Sequence, residues 1–244
     1  MSTRLRISSV LAELFGTFVL VMAVTSISFT LTQIGTVAKS PIPFFGPATA
    51  GVVLTLMVLI IGKISGAHIN PAVTFGLWSV RKIKTFDAAL YILFQFLAGS
   101  LAIMLTTYLF AHTLPDLVAE TWSVDWRVFT AEGIGTFIFT FGIAAALSQK
   151  FDDIKLAAAI GISLFAGATI ASMGSLGLIN PAVAVGIGAI NVSYFVAPLV
   201  GSLIAFNLYE FVFSVDTKQQ KTSSININSK KSTAKKSSSK KTKK

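Results

Sequence analysis

Apolar residues run along this chain in long blocks broken by short polar stretches, without the strict alternation of a half-buried strand. Six blocks are long enough to cross a bilayer as helices, which takes about 20 residues at 1.5 Å each. The pattern predicts spans over 8–30, 46–62, 86–111, 128–148, 156–173 and 192–213. Backbone facing lipid must satisfy its own polar groups, so the spans are helices. Two shorter apolar segments, 71–80 and 181–190, are each about half a crossing. They follow Asn70-Pro71-Ala72 and Asn180-Pro181-Ala182, with glycines just upstream. Proline has no N–H and a preset φ, so it suits the first helical position, and asparagine suits the N-cap. Each motif therefore predicts the start of a short helix, the first preceded by an unwound stretch over 63–69.

The order repeats. Ala12-Glu13 with Gly16-Thr17 in the first span is echoed by Ala131-Glu132 with Gly135-Thr136 in the fourth. The two acids are 119 residues apart (13 to 132) and the two asparagines 110 apart (70 to 180), as duplicated halves with unequal connections would be. Three spans per half is an odd number, so the second half enters the membrane upside down. The expected fold is an all-α membrane protein with six transmembrane helices and two re-entrant half-helices in an inverted repeat. Its first repeat is 1–113, its second 114–216, and a tail follows over 217–244. Such repeats place their site near the midplane, between broken helices. Two half-helices entering from opposite faces would meet end to end, and their partly positive N-termini would repel cations.

Charge fixes the expected orientation. Of 20 basic residues, ten are lysines in the tail, which has no acid; the body is then neutral, with ten acidic residues. With both termini in the cytoplasm, Arg4, Arg6, Lys63, Arg81, Lys82, Lys84, Lys150, Lys155 and the tail lie inside, and only Lys39 and Arg127 outside. This satisfies the positive-inside rule for a multi-pass protein, here expected in the cell membrane. The first apolar block reads as a retained span, not a cleaved signal. The tail is expected to be disordered and drawn to anionic lipid; no nucleic acid partner is expected. Cysteine is absent, and no metal cluster, nucleophile–base set or phosphate loop is visible, so no enzyme activity, metal or cofactor is expected. Glu13 and Glu132 read as the only acids inside the spans. An intramembrane carboxylate is either a proton or ion site or an acceptor for unwound backbone.

The paired Asn-Pro-Ala motifs, the Ser65-Gly66-Ala67-His68 lead-in, the Ala-Glu and Gly-Thr repeat and the six-span layout resemble the aquaporins, or major intrinsic proteins, over about 11–213. The resemblance implies a homotetramer in which each subunit carries a pore for water and small neutral solutes. It implies that Asn70 and Asn180 donate to a permeant's oxygen, turning its hydrogens away and interrupting a proton wire. Backbone carbonyls around 66–69 and 175–178 would form a ladder of acceptors. Glu13 and Glu132 would hold that ladder in shape, and His68 would face the pore.

The chain departs from the family at the outer filter. Counted along matching stretches, the four filter places fall on Ala50, Ala168, Gly177 and Val183, and Val183 stands where most of the family have arginine. Four small, uncharged residues imply a wide, apolar constriction open to glycerol or urea as well as water. Ala184, in place of the aspartate common in glycerol pores, and Tyr194-Phe195, similar to the aromatic pair of water pores, point the other way. Two rival readings are a secondary active transporter, whose coupling groups would have to be Glu13 and Glu132, and a closed-pore adhesion or scaffold protein.

Overall fold

The computed structural model describes residues 3–33, 44–110 and 124–213. Where apolar blocks are long the chain is helical, and among the described residues there is no strand. The order is α1 (Thr3–Gln33), α2 (Phe45–Ser65), α3 (Pro71–Ser79), α4 (Thr85–Leu109), α5 (Trp126–Ser148), α6 (Asp153–Ala171), α7 (Pro181–Gly186) and α8 (Val192–Val212). All but α3 and α7 are long and apolar enough to cross a membrane. Lys39, Pro41 and Pro43, the acids Asp116 and Glu120, and the tail over 217–244 lie outside the described residues.

Several boundaries differ from those expected, and three of them have a clear local cause. Helix α1 begins at Thr3, five residues before the predicted start at 8, because Ser8 and Ser9 turn their hydroxyls onto the carbonyls of Arg4 and Leu5 and are carried within the helix. Helix α2 runs on to Ser65 instead of unwinding at 63, and ends where Gly66 takes a left-handed φ of 91° and returns its N–H to Gly62. Helix α7 stops at Gly186, short of 190. Gly188 has a φ of 76° and donates to the Val185 carbonyl, which turns the chain before another helical turn can form.

Packing follows the duplication. Helix α1 packs on α2 and α4, as α5 packs on α6 and α8. The halves meet where α2 crosses α6. A Cβ on Gly51 would lie 2.8 Å from the Gly161 carbonyl oxygen, and one on Gly161 would lie 2.5 Å from that of Gly51. Small residues let membrane helices approach this closely, where dispersion and not hydrophobic exclusion holds them together. The half-helices are exchanged between repeats: α3 lies on α8 of the second, α7 on α4 of the first. Large apolar side chains such as Val52, Met104, Ile162 and Phe211 face outward, as hydrocarbon permits.

One end of the bundle is marked by ion pairs. Arg6 at the start of α1 meets Asp87 at the start of α4 (2.8 Å), Lys63 near the end of α2 meets Asp153 at the start of α6 (2.5 Å), and Lys82 meets Glu210 near the end of α8 (3.4 Å). Asp87, Asp153 and Glu210 are therefore acids at helix ends, where water reaches them. Only Glu13 and Glu132 are acids deep within spans among the described residues, which corrects the broader reading that no other span carries one.

Candidate functional site

Each half-helix is capped by its own asparagine. Asn70 Oδ1 accepts from the Ala72 N–H (2.8 Å), and Asn180 Oδ1 from that of Ala182 (3.0 Å), satisfying one of the unpaired donors at each tip. Proline fills the first helical position in both. The capping turns each amide NH2 toward the other repeat. Asn70 Nδ2 donates to the Ile179 carbonyl (2.9 Å) and Asn180 Nδ2 to the Ile69 carbonyl (3.0 Å). An amide nitrogen carries two hydrogens. One on each asparagine is spent on this crossed tie, and the second is left for the cavity that both residues line.

The residues before the asparagines bend the chain to make this possible. Ala67 and Ile69 have φ of 49° and 37°, and the equivalents Gly177 and Ile179 have 66° and 41°. A β-branched residue in that region is strained by about 1–3 kcal/mol and persists only if its surroundings enforce it. The buried glutamates supply the enforcement. Glu13 accepts from the N–H groups of His68 (2.9 Å) and Ile69 (2.6 Å), and Glu132 from those of Leu178 (3.0 Å) and Ile179 (2.6 Å). Gly16 and Gly135, one turn further along α1 and α5, leave room for the isoleucines. A Cβ on Gly16 would come within 2.7 Å of Ile69 Cγ2, and one on Gly135 within 3.0 Å of Ile179 Cγ2. The spacing of Glu and Gly in the repeated segment thus answers to one buried isoleucine in each half.

Several residues of this framework were named in the sequence only as parts of motifs, without this role, or not at all. Ser65 and Ser175, each five before its asparagine, accept from the N–H groups of Ala67 (3.0 Å) and Gly177 (2.9 Å). Ser175 also donates to Glu132 (2.6 Å). In the first repeat that place is taken by Gln95 of α4, which donates to Glu13 (2.9 Å) and to Thr74 (3.0 Å). A lone amide within an apolar span was the available signal. Tyr194 accepts from the Leu176 N–H (3.2 Å), and Phe195 stacks on Phe96.

Two cavities lie beside the bent stretches, and the asparagines line only the first. One, of about 120 Å³, is lined by Ala50, Ala168, Gly177 and Val183, so the four positions named as a filter surround one space with Asn70 and Asn180. Leu20 and Val24 of α1 and Ile187 share that lining and were not anticipated. Gly177 cannot be larger, since a Cβ there would sit 2.6 Å from the Ala168 carbonyl oxygen at a left-handed φ. The other cavity, of about 920 Å³, opens at the ion-paired end, past Lys63, Lys82 and Glu210. Leu54, His68 and Phe139 line both. His68 Nδ1 lies 3.1 Å from Thr74 Oγ1, and its ring meets that of Tyr91 edge-on. No group of three His, Cys, Asp or Glu side chains that could hold a metal ion occurs among the described residues.

Chemically the arrangement is sparse. The smaller cavity offers mostly aliphatic walls together with Phe139, Ser28 and the His68 ring, two amide side chains and the bent stretches. Both carboxylates are turned away from it, each holding at least three donors.

The chain matches the family model described as Major intrinsic protein over residues 1–209. Aquaporin-4 of Mus musculus is 34% identical over 183 residues, which are 69% of this chain and 56% of that protein. The chain thus spans little more than half the length of that relative. The protein named Probable aquaporin TIP1-1 of Oryza sativa subsp. japonica is 28% identical over 225 residues, 88% of this chain and 90% of that one. Among solved structures, the aquaglyceroporin from Plasmodium falciparum superposes with a TM-score of 0.69 at 22% identity, covering 85% of this chain and 96% of that chain. That likeness bears on the fold.

Proposed function

Since this chain belongs to the major intrinsic protein family, we propose that it is a passive channel for water and small uncharged solutes, glycerol or urea among them. The observation that carries this is the crossed pair Asn70 and Asn180, each with one of its two amide hydrogens outside the crossed tie and each lining a cavity whose other walls are mostly aliphatic. A neutral oxygen passing there accepts from the asparagines and turns its own hydrogens outward along the passage. A cation finds no carboxylate to replace its hydration, and the positive tip of α3 opposes it. Helix α7 has six residues and not the ten expected, so its tip contributes less.

Ala50, Ala168, Gly177 and Val183 form the filter in this reading. They bring no fixed charge, so size and hydrogen bonding alone discriminate. Val183 is buried against the narrow cavity, and an arginine there would place a bulky cation in the gap. Val183→Arg should reduce glycerol and urea uptake by proteoliposomes about tenfold, about 1.4 kcal/mol of barrier, with water flux less affected. Unchanged uptake would mean that these four residues are not the filter.

The remaining assignments follow the same reading. Residues 1–113 and 114–216 are the two repeats, the ion-paired face and both termini are cytoplasmic, and the host is the cell membrane. The assembly is a homotetramer with one passage per subunit, and the protein catalyses no reaction. Coupled transport is not favoured, because Glu13 and Glu132 each already hold three backbone or side-chain donors.

A further inference from the structure

We infer that each buried glutamate positions the asparagine of the opposite repeat: Glu13 sets the amide of Asn180, and Glu132 sets the amide of Asn70. The inference rests on the reading that these two amides are the polar groups of the passage. Sequence proximity suggests the reverse, since Glu13 lies in the same half as Asn70. The hydrogen bonds run otherwise. Glu13 takes the N–H of Ile69, and the carbonyl of that same residue takes the amide of Asn180. Glu132 takes the N–H of Ile179, whose carbonyl takes the amide of Asn70. Each carboxylate therefore grips one end of a residue whose other end holds the far asparagine.

Three features make this a positioning device and not merely a chain of contacts. Both isoleucines are fully buried in a left-handed conformation that their side chains disfavour, so they need an external hold to stay there. A charged acceptor on the N–H also polarises the residue's surroundings and strengthens the neighbouring bonds, as in other buried chains of hydrogen bonds. Finally, the asparagine at the end of each chain is an N-cap. Through Asn180 and the Ala182 N–H, the α1 carboxylate is tied to the tip of α7, against which α1 also packs. The two chains thus brace the half-helices across the repeat boundary, and neither repeat can orient its own asparagine alone.

The chains are not equal. Glu13 receives its third donor from Gln95 of another helix, whereas Glu132 receives it from Ser175 in its own bent stretch. Gln95 is therefore a further positioning residue, acting on Asn180 through Glu13 and Ile69. Replacing it with leucine should disturb Asn180 while leaving both carboxylates in place.

The test reads the two amides directly. Full-length protein with 15N-labelled asparagine, in nanodiscs, gives side-chain NH2 resonances that single Asn→Asp substitutions assign. Glu13→Gln can serve only one of the two backbone N–H groups that Glu13 holds. It should shift the Asn180 resonance more than that of Asn70, and Glu132→Gln should do the opposite. Gln95→Leu, the milder change, should repeat the Glu13 pattern with a smaller shift if the glutamate variants fail to fold. A larger shift at the asparagine of the variant's own half, or equal shifts at both, in any variant that folds would overturn the inference. No flux enters this readout, so a protein that conducted nothing would overturn the channel reading and leave the crossed assignment standing.

Discussion

Two isoleucines carry more of this site than their apolar side chains suggest. Ile69 and Ile179 are strained in φ, gripped by carboxylates at their N–H groups and by the opposite asparagines at their carbonyls. Gly16 makes room for one of them, and Gly16→Ala would push a methyl against Ile69 and Ile61, each 2.7 Å away. Overpacking of this kind costs about 1–3 kcal/mol, so the variant should unfold at a lower temperature in detergent and conduct less. At this scale the sequence was partly legible. Asparagine before proline announces a cap wherever it occurs, and both caps are there. The hydrogen-bond partners were not legible, because they depend on which repeat faces which: nothing in the order of residues ties Asn180 to Ile69. Gln95 and Thr74 were missed because each is an ordinary residue until the bent stretch is brought beside it.

Among the elements, close contacts decide the geometry. At the α2–α6 crossing, Gly161→Val would drive its side chain into the Gly51 carbonyl and Thr55, and should destabilise the fold severely. Gly46→Ala, in α2 and with nothing within 4 Å of the added methyl, should leave stability unchanged or raise it. Thermal unfolding of the two variants side by side checks the contrast. Asp152 caps α6 through the Lys155 N–H (3.0 Å) and pairs with the Lys155 ammonium (2.9 Å), which holds its carboxyl below the usual range. The cap's contribution is therefore complete above the ordinary carboxylate range and is lost only as pH falls through the lowered value. A carboxyl-carbon NMR titration should find Asp152 titrating below a free aspartate. The existence and type of the elements followed from block length and Asn-Pro. The ends were harder: α7 is shorter than its apolar block because glycines at 186 and 188 allow a turn that hydrophobicity alone does not register.

In the whole molecule, the exchange of half-helices between repeats brings the asparagines of both copies of the unit to one cavity. Each repeat contributes a bent stretch, an asparagine and a carboxylate, and each lays its half-helix on a span of the other. The duplication was visible in the sequence as the same motifs recurring in the same order, and the odd number of spans made it inverted. The exchange was not visible, since it concerns which surfaces touch. In the proposed reading, the lack of fixed charge at Ala50, Ala168, Gly177 and Val183 and the amides of Asn70 and Asn180 select neutral molecules. The most direct test is stopped-flow light scattering of proteoliposomes under osmotic and glycerol gradients, with and without an imposed proton or sodium gradient. The account predicts water and glycerol fluxes well above those of protein-free vesicles and indifferent to either ion gradient; fluxes equal to empty vesicles, or uptake that follows an ion gradient, would contradict it.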